Sequence, residues 1–438
     1  MRFIAAIALT LLAALPARAE VNIQEVTSPG GLKAWLVEEH SIPFTALEIQ
    51  FRGGASLDAP GKRGAINLMT GLLEEGAGDM DARAFARESE ALATSFGFDV
   101  GDDSLSISAR FLTENREASA ALLKAAIQEP RFDEDAIERV RGQVLSIIRS
   151  DEKDPDDIAR RTMDEILFGD HPYASSLNGT LDSVAALTRD DLLAAHKAVL
   201  ARDRIYIGAV GDITPEELST LIDDLLGDLP ATGAPMPPKA EIDVKPSVTV
   251  VDFPTPQSVA IWAQPGLAQD DPDWFAATVM NQILGGGSFE SRLMDEVREK
   301  RGLTYGVYSY LVPRDLAETY QGSVSSANDR IGDAMGVIRE EWAKMAADGV
   351  TQQELDDAKT YITGSYPLRF DGNGQIAGIL VGMQMLDLPI DYIATRNEKV
   401  EAVTLEDVQR VARELLTPDS LAVVVVGQPE GIESVPAN

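Results

Sequence analysis

The same helix-to-strand spacing occurs twice in this chain, and it restricts the possible folds more than any other feature of the sequence. In the first copy, a helix opens at Thr188 and a strand ends at Gly211, 23 residues later. In the second copy, a helix opens at Thr404 and a strand ends at Gly427, again 23 residues later. A repeated spacing of this kind indicates a duplicated structural unit. We therefore predict an α+β fold in which two related halves each hold a mixed β-sheet covered by helices.

A proline-rich connector separates the two halves. Residues 229–246 hold five of the 23 prolines and show no apolar periodicity, which is typical of an extended linker. With 438 residues, the chain is long enough for two domains. We place the first domain at residues 20–228, the linker at 229–246 and the second domain at 247–438.

Local patterns place the elements within each half. Alternation of apolar and polar side chains predicts strands at residues 21–26, 32–37, 45–51, 104–111, 204–210, 248–252 and 258–263. Helical periodicity predicts helices at residues 64–78, 81–94, 115–128, 133–150, 155–168, 188–200 and 273–284.

The first 19 residues have the pattern of a cleavable secretory signal. Arg2 gives a positive start, residues 4–15 form an apolar core, and residues 17–19 (Ala-Arg-Ala) provide a small-x-small cleavage site. The apolar run is too short for a stable membrane anchor. The chain has no cysteine, which excludes disulfides, thiol nucleophiles and thiolate metal ligands. We expect a mature chain that starts at Glu20 and a periplasmic location.

The chain is strongly acidic. It carries 71 Asp and Glu residues against 38 Lys and Arg residues, a net charge of −33. Such a surface repels the phosphates of nucleic acids and of anionic membranes, so neither is an expected partner. No later segment has 18 uninterrupted apolar residues, so no stable membrane anchor is expected. The charge serves solubility and would also attract basic peptides.

The segment at residues 284–305, LGGGSFESRLMDEVREKRGLTY, carries the most distinctive local pattern. It contains three glycines and a serine in succession: Gly285, Gly286, Gly287 and Ser288. Three consecutive glycines allow a sharp turn or a close approach to another chain. The serine is a candidate N-cap for the helix that follows.

The second part of this segment predicts a helix followed by a strand. Phe289, Leu293 and Val297 recur every four residues, as one stripe of a helix does. Gly302 is placed to end that helix, and residues 303–307 alternate as in a strand.

Arg298 would then lie in the last helical turn and Tyr305 near the start of the strand. If the chain folds back at Gly302, both side chains point into one space. A guanidinium and a phenol together form a donor pair for a carbonyl or an oxyanion. The alternative is that Arg298 complements the helix dipole while Tyr305 packs in a core.

The predicted helix GAINLMTGLLEEGAG resembles the helix that carries the inverted zinc motif H-x-x-E-H in the pitrilysin-like (M16) metallopeptidases. In those enzymes the two histidines bind zinc and the glutamate activates the water. Asn67, Thr70 and Gly71 stand at these positions here. The family's third ligand is a glutamate, and the matching position falls at Ser146 or Ile147. The resemblance therefore implies that this chain has lost the zinc site and holds no metal.

Residues 298–305, REKRGLTY, carry a second resemblance to the same family. Helices that end in R-E-K-x-G-L-x-Y after a Gly-rich turn are similar to its C-terminal domain, where the Arg and the Tyr hold the substrate near the metal. The resemblance implies that Arg298 and Tyr305 bind a peptide. It also implies that the turn from Gly285 to Ser288 guides the peptide or meets a partner.

Some members of this family consist of two related subunits of this size, and the mitochondrial processing peptidase is arranged in a related way. One subunit carries the zinc, and the other lacks it but supplies the Arg and the Tyr. By this resemblance, the chain is a non-catalytic, substrate-binding subunit of a periplasmic heterodimer. Its partner would carry H-x-x-E-H and the zinc, and the chain alone would have no peptidase activity.

Two alternatives remain open. The first is an inert scaffold or a peptide-binding protein of the same fold. The second is a self-sufficient hydrolase with an unorthodox metal site. His40, His171 and His196 do not have the spacing of ligands on one helix, and we predict surface or capping roles for them.

Overall fold

A computed structural model of the protein describes residues 22–242, 244–287 and 289–436, so the predicted leader at 1–19 lies outside the described residues. In the first half, six strands form one mixed sheet in the order β1-β2-β8-β3-β7-β6, and a small ribbon pairs β4 with β5. The strands are β1 Gln24–Thr27, β2 Lys33–Glu38, β3 Phe44–Arg52, β4 Gly76–Ala77, β5 Met80–Asp81, β6 Ser95–Val100, β7 Ser104–Leu112 and β8 Ile205–Gly211.

The second half contains a five-stranded mixed sheet in the order β11-β12-β10-β13-β9. Its strands are β9 Ser247–Asp252, β10 Gln257–Pro265, β11 Val307–Arg314, β12 Ala317–Ala327 and β13 Ala422–Gly427.

The two sheets have the same topology. β2 runs parallel to β8 just as β9 runs parallel to β13, and the remaining shared neighbours are antiparallel in both sheets. The helices that precede β8 and β13 also begin alike, because Thr188 and Thr404 each form a capping box with the aspartate three residues later. The predicted duplicated α+β fold is therefore confirmed.

Helices cover both sheets. In the first half they are α1 Ala65–Thr70, α2 Ala82–Ala91, α3 Arg116–Gln128, α4 Glu134–Asp151, α5 Pro155–Phe168, α6 Leu181–Ala185, α7 Arg189–Val199 and α8 Pro215–Leu226. In the second half they are α9 Trp274–Leu284, α10 Ile331–Asp348, α11 Gln352–Ser365, α12 Asn373–Met385, α13 Tyr392–Ala402 and α14 Leu405–Leu415. None of the helices within the described ranges is both long and apolar enough to cross a bilayer.

The alternation along β3 decides which face of the first sheet is covered. Leu47, Ile49 and Phe51 are almost fully buried in the core of the first half. Burying a side chain of this size stabilises the fold by about 1.5–3 kcal/mol. The helices α1, α3, α4, α6, α7 and α8 contribute side chains to this core. Glu48 and Gln50 occupy the opposite face of the same strand.

Each half also lends one helix to the other half. α5 of the first half packs on β10 and β13, and α12 of the second half packs on β3 and β8. Met163 of α5 belongs to one apolar cluster with Val424, and Leu380 of α12 belongs to another with Val210. Each sheet is therefore covered on its second face by a helix from the other half.

The helix predicted at residues 64–78 is wrong in length. It is helical only over α1, and after Thr70 the N–H groups of Leu72 and Leu73 bond to carbonyls three residues back. Gly76 then takes a φ of 115°, which the ribbon β4–β5 requires. The chain therefore turns away where the sequence pattern continues. β6, β12, α6, α8 and α10 to α13 form where we predicted no element.

The connector between the halves packs against the second half. The N–H of Ala240 donates to the Leu316 carbonyl at 2.8 Å, and Ala240, Ile242 and Val244 pack against the cluster around α5. The domain limits at residues 228 and 247 stay predictions.

Candidate functional site

The glycine turn follows α9 directly and is hydrogen-bonded to the strand β11. The N–H of Gly285 donates to the Asn281 carbonyl at 2.9 Å, and its own carbonyl accepts from the N–H of Ser309 at 2.9 Å. A Cβ on Gly285 would lie 2.5 Å from the Ser309 hydroxyl, and one on Gly286 would lie 2.6 Å from the Cα of Gln282. Both glycines are therefore required by the close packing of the turn.

The last two residues of the turn differ from the first two. Gly287 has a φ of 86°, and a Cβ added there would meet no heavy atom within 4 Å. Ser288 lies outside the residues that the structure describes, so its role as an N-cap stays a prediction. The guidance of a peptide by Gly285, Gly286, Gly287 and Ser288 also stays a prediction.

The helix after the glycine turn is short, and its segment Met294–Glu299 is wound as a π-helix. Leu293 and Val297 are buried, as the predicted apolar stripe requires. Phe289 is 69% exposed, so the stripe is wrong there, because the helix begins only at Arg292. A π-helical turn is rare and is often found at a functional site.

Arg298 lies on this π-helical turn with a partly exposed side chain. Its guanidinium carbon is 4.8 Å from the centroid of the Phe289 ring, and its Nε is 3.5 Å from a carboxylate oxygen of Glu299. A cation–π contact at an exposed site contributes about 0.5–1 kcal/mol. Phe289 therefore helps to orient Arg298, a role that the sequence analysis missed when it placed this aromatic ring on the apolar stripe.

Tyr305 lies in the turn that leads into β11. Gly302 has a φ of 58°, and its N–H donates to the Arg298 carbonyl at 2.7 Å. The Thr304 hydroxyl donates to the Ser325 carbonyl at 2.7 Å, so a side chain rather than the backbone attaches this turn to β12. The strand predicted from residue 303 is therefore wrong over its first four residues. Tyr305 precedes the strand and is 87% exposed.

Arg298 and Tyr305 both reach solvent, but no contact joins them among the described residues. The phenol forms no hydrogen bond with any described residue, and the guanidinium keeps N–H groups beyond its contact with Glu299. The exposure of Tyr305 rules out the alternative that it packs in a core. The pair therefore offers two separate donors to a molecule that approaches from outside.

The positions of the lost zinc motif are occupied by local hydrogen bonds. On α1, the amide nitrogen of Asn67 donates to the side-chain oxygen of Asn178 at 3.0 Å. Asn178 in turn donates to a carboxylate oxygen of Asp151 at 3.2 Å. The Thr70 hydroxyl is buried and donates to the Ile66 carbonyl at 2.8 Å. The hydrogen bonds of Asn67 and Asn178 connect α1 to the loop after α5 and that loop to α4.

The remaining positions of the motif offer no ligand either. Gly71 has no side chain, and Ser146 and Ile147 both point to solvent from α4. Across the described ranges, no three His, Asp or Glu side chains are placed to hold a metal ion together. The residues present therefore do not fit the zinc site of a peptidase.

Each histidine has a local structural contact. The ring of His40 lies 2.7 Å from Asp212, and His196 bonds to the Ile127 carbonyl at 2.7 Å. Burial lowers the pKa of His196, which favours its neutral form. His171 accepts the N–H of Tyr173 at 3.2 Å as an N-cap. These contacts agree with the surface and capping roles predicted for the three side chains.

Comparison with known families matches both halves of the chain. A model described as insulinase (peptidase family M16) matches residues 34–181, and a model described as the peptidase M16 inactive domain matches residues 186–362.

Individual relatives cover most of the chain. A Helicobacter pylori protein described as non-peptidase homolog YmxG is 28% identical over 372 residues, which are 85% of this chain and 86% of the relative. An uncharacterized zinc protease of Streptomyces coelicolor is 26% identical over 408 residues, which are 90% of this chain and 87% of the relative.

A crystal structure of a peptidase M16 inactive domain from Pseudomonas fluorescens is similar over almost the full length. It has a TM-score of 0.87 and 31% sequence identity, and it covers 95% of this chain and all of that chain. A protease from Helicobacter pylori shares the fold with a TM-score of 0.82 at 16% identity, covering 92% of this chain and 99% of its own.

Proposed function

We infer the function of this chain from the family to which it belongs: it is a non-catalytic member of the M16 peptidase family. We propose that it is the substrate-binding subunit of a periplasmic, heterodimeric zinc peptidase. One contrast carries the proposal. The zinc-motif positions hold Asn67, Thr70 and Gly71, whereas Arg298 and Tyr305 are both present and accessible.

In this proposal, Arg298 and Tyr305 bind the peptide at the bond to be cut. Both are hydrogen-bond donors, so they suit a peptide carbonyl and stabilise it further as its oxygen becomes negative. The stacking on Phe289 orients the guanidinium before the peptide arrives. The residues of this chain bind and orient the substrate, and the metal and its general base belong to another chain.

The proposed partner is a homologous M16 subunit that carries an intact H-x-x-E-H motif and zinc. The exposure of both donors supports this arrangement, because a second subunit has to face them for the site to be complete. The leader pattern at residues 1–19 supports a periplasmic location. The net charge of −33 favours basic peptide segments as substrates.

A second function is an inert scaffold or peptide-binding protein of the same fold. One observation favours it: no contact holds Arg298 and Tyr305 together among the described residues. A hydrolase that acts by itself is not favoured, because the residues at the motif positions do not fit zinc.

The decisive experiment mixes this chain with a candidate zinc-bearing partner and measures cleavage of a peptide pool. Each chain is assayed alone and in the mixture, with and without a chelator. We expect activity only in the mixture, and we expect the chelator to abolish it. Arg298→Ala should lower the activity of the mixture roughly 100- to 1000-fold, because one donor to the developing oxyanion is lost.

Matched variants separate the site from general damage. Arg87→Ala removes an exposed arginine from α2, and Tyr361→Phe removes the hydroxyl of an exposed tyrosine on α11, whereas Tyr305→Phe removes the proposed donor. A mixture that assembles but keeps full activity with Arg298→Ala would favour the scaffold. Chelator-sensitive cleavage by this chain alone would refute the proposal.

A further inference from the structure

A cavity of about 730 Å³ lies in the second half, between the start of α9, the turn Tyr366–Arg369, α12 and α13. Its size is in the range of about 300–1,000 Å³ typical of sites that enclose a small ligand. Four of the residues that line the cavity are aromatic and are here called the aromatic wall: Trp274, Phe275, Tyr366 and Tyr392. This wall suits an apolar group.

Helix α12 borders the cavity with glycines instead of side chains. Gly378 and Gly382 line the cavity, and a Cβ at either position would meet no heavy atom within 4 Å. A glycine inside a helix costs about 1 kcal/mol relative to alanine. The other face of α12 is occupied, because Ala377 and Leu380 pack on the first sheet. The space above the glycines is therefore open to a ligand up to the helix backbone.

Two cations line this space, and a third lies beside its aromatic residues. Arg369 and Arg396 line the cavity, and the Nζ of Lys399 lies 5.2 Å from the centroid of the Tyr392 ring. None of the three forms an ion pair with a carboxylate among the described residues. In a chain with a net charge of −33, this is a local excess of positive charge.

Arg396 is held in place by Tyr366, Ile362, Asn397 and the Tyr392 hydroxyl. Its guanidinium carbon lies 4.4 Å from the centroid of the Tyr366 ring. Its Nη1 donates to the Ile362 carbonyl at 3.2 Å and to the Asn397 side chain at 3.0 Å. These bonds and the hydrogen bond with Tyr392 orient the guanidinium. A guanidinium has five N–H groups, so donors remain beyond these contacts.

We propose that this cavity binds the C-terminal residue of a peptide, with its carboxylate between Arg369 and Arg396 and its apolar side chain against the aromatic wall above Gly378. A single carboxylate on an otherwise apolar or basic peptide satisfies the cations, whereas the acidic surface repels a ligand with many negative charges. The inference rests on the proposed peptide-binding function and adds a second contact point for the same substrates.

The test uses the isolated full-length chain and the peptide N-acetyl-Ala-Ala-Phe with a free C-terminal carboxylate. Binding is measured by titration calorimetry and by the change in tryptophan fluorescence. This change reports on Trp274, because Trp274 lines the cavity whereas Trp35, Trp262 and Trp342 are buried elsewhere. We expect the amide of the same peptide to bind roughly tenfold more weakly or worse, because a charge-assisted hydrogen bond is lost. Added salt should weaken the binding of the free acid.

Variants locate the binding site. Gly378→Leu fills the cavity and should abolish binding, whereas Gly142→Leu on α4, where an added Cβ also meets nothing within 4 Å, should leave it unchanged. Arg369→Gln and Arg396→Gln should each weaken binding roughly tenfold. Arg369 is exposed, so its variant tests the proposal even if the Arg396 variant fails to fold.

Three outcomes would overturn the proposal: equal binding of acid and amide, no binding of the acid at millimolar concentration, or equally tight binding of 3-phenylpropionate, which carries no peptide. No partner or cleavage assay enters this test. Its failure would therefore leave the proposed role of Arg298 and Tyr305 standing, and a failure of that role would not alter the binding result.

Discussion

Glu48 is a carboxylate on the polar face of the first sheet, where it is largely removed from water. It pairs in register with Ser108 of β7 and Gly208 of β8. Burial raises the pKa of Glu48 to about 7, Asp99 adds to the rise, and a hydrogen bond from Gln50 opposes it. Glu48 forms no ion pair with any described residue. Its ionised form therefore lowers the stability of the fold.

We predict that Glu48→Gln stabilises the protein at neutral and higher pH. Between pH 4.5 and 7 the folded protein keeps a proton on Glu48 that the unfolded chain has lost, so the free energy of unfolding falls as pH rises through this window. The glutamine variant has no carboxylate at this position, so its free energy of unfolding does not fall for this reason as pH rises. Urea denaturation should show it more stable than the wild type by up to about 3 kcal/mol near pH 8, with the difference shrinking toward pH 4.5.

Glu25→Gln is the control, because Glu25 is exposed on β1. Its effect on the free energy of unfolding should be small and nearly independent of pH in this range. A constant difference between Glu48→Gln and the wild type at both ends of the window would contradict the assigned cause.

At the site, the positions of the residues could be predicted from the sequence, but the contacts and exposure of their side chains could not. The separation of Arg298 and Tyr305 and the glycine before Leu303 follow from the printed residues. The stacking of Arg298 on Phe289 does not, because an apolar residue at helical spacing is usually buried. The exposure of Phe289 depends on where the helix begins, and it begins only at Arg292.

At the scale of elements, the glycine turn fixes how α9 meets β11. The backbone of Gly285 bonds to both elements, at Asn281 and at Ser309. A side chain at this position would push against the Ser309 backbone nitrogen, 2.9 Å from an added Cβ. The turn therefore couples the end of α9 to the strand that follows the Arg298–Tyr305 segment.

We predict opposite effects for two Gly→Ala changes. Gly285→Ala should lower the free energy of unfolding by about 1–3 kcal/mol, because the new methyl group has no room. Gly364→Ala on α11 meets no atom within 4 Å and should raise it by up to about 1 kcal/mol through the better helix propensity of alanine. Urea denaturation of both variants checks the signs, and a shift of both in the same direction would refute the packing argument.

The elements of the first half were largely predictable, because their signals are local, whereas β12 and α10 to α13 of the second half were not predicted. The strand alternation at residues 45–51 and 104–111 and the capped helices at Thr188 and Thr404 all have counterparts in β3, β7, α7 and α14. The end of α1 was not predictable, because the apolar pattern runs on while the ribbon of β4 and β5 bends the chain.

At the scale of the whole molecule, the hairpin between β11 and β12 inserts an arginine into the first half. The guanidinium carbon of Arg314 lies 5.2 Å from the Phe168 ring centroid and 5.0 Å from that of Tyr173. Its nitrogens lie 3.8 Å from carboxylate oxygens of Asp102 and Asp164. Burial raises the pKa of Asp164 to about 6, and Arg314 limits that rise. This contact joins the two halves through charge as well as packing.

We predict that Arg314→Ala lowers the free energy of unfolding by about 3 kcal/mol at neutral pH, because it leaves the largely buried Asp164 carboxylate without the cation beside it. Asp102 keeps Arg63 at 2.9 Å. Without Arg314, the pKa of Asp164 rises further. The loss should therefore be larger near pH 8 than near pH 5, where Asp164 takes up a proton. Urea denaturation at the two pH values measures the difference.

Arg110→Ala is the matched control. Arg110 also stacks on a phenylalanine, with its guanidinium carbon 5.4 Å from the Phe44 ring centroid, but it lies within one half and is exposed. Its loss should be small. A loss for Arg314→Ala that equals this control, or that does not change with pH, would show that the charge contact does not join the halves.

The exchange of α5 and α12 could not be predicted from sequence patterns. Each helix shows only its own apolar residues, and the pattern does not name the sheet that receives them. The partner sheet is set by contacts between residues far apart in the chain, such as Leu380 with Val210.

The exchange of α5 and α12 makes the two halves depend on each other. α5 and α12 occupy matching places in the two halves, and each leaves its own half to cover the other. A half on its own would leave one face of its sheet uncovered and one apolar helix unpacked. Two copies of such a half would cover both surfaces by exchanging these helices. The protein is therefore arranged like a domain-swapped dimer whose two related halves are joined in a single polypeptide.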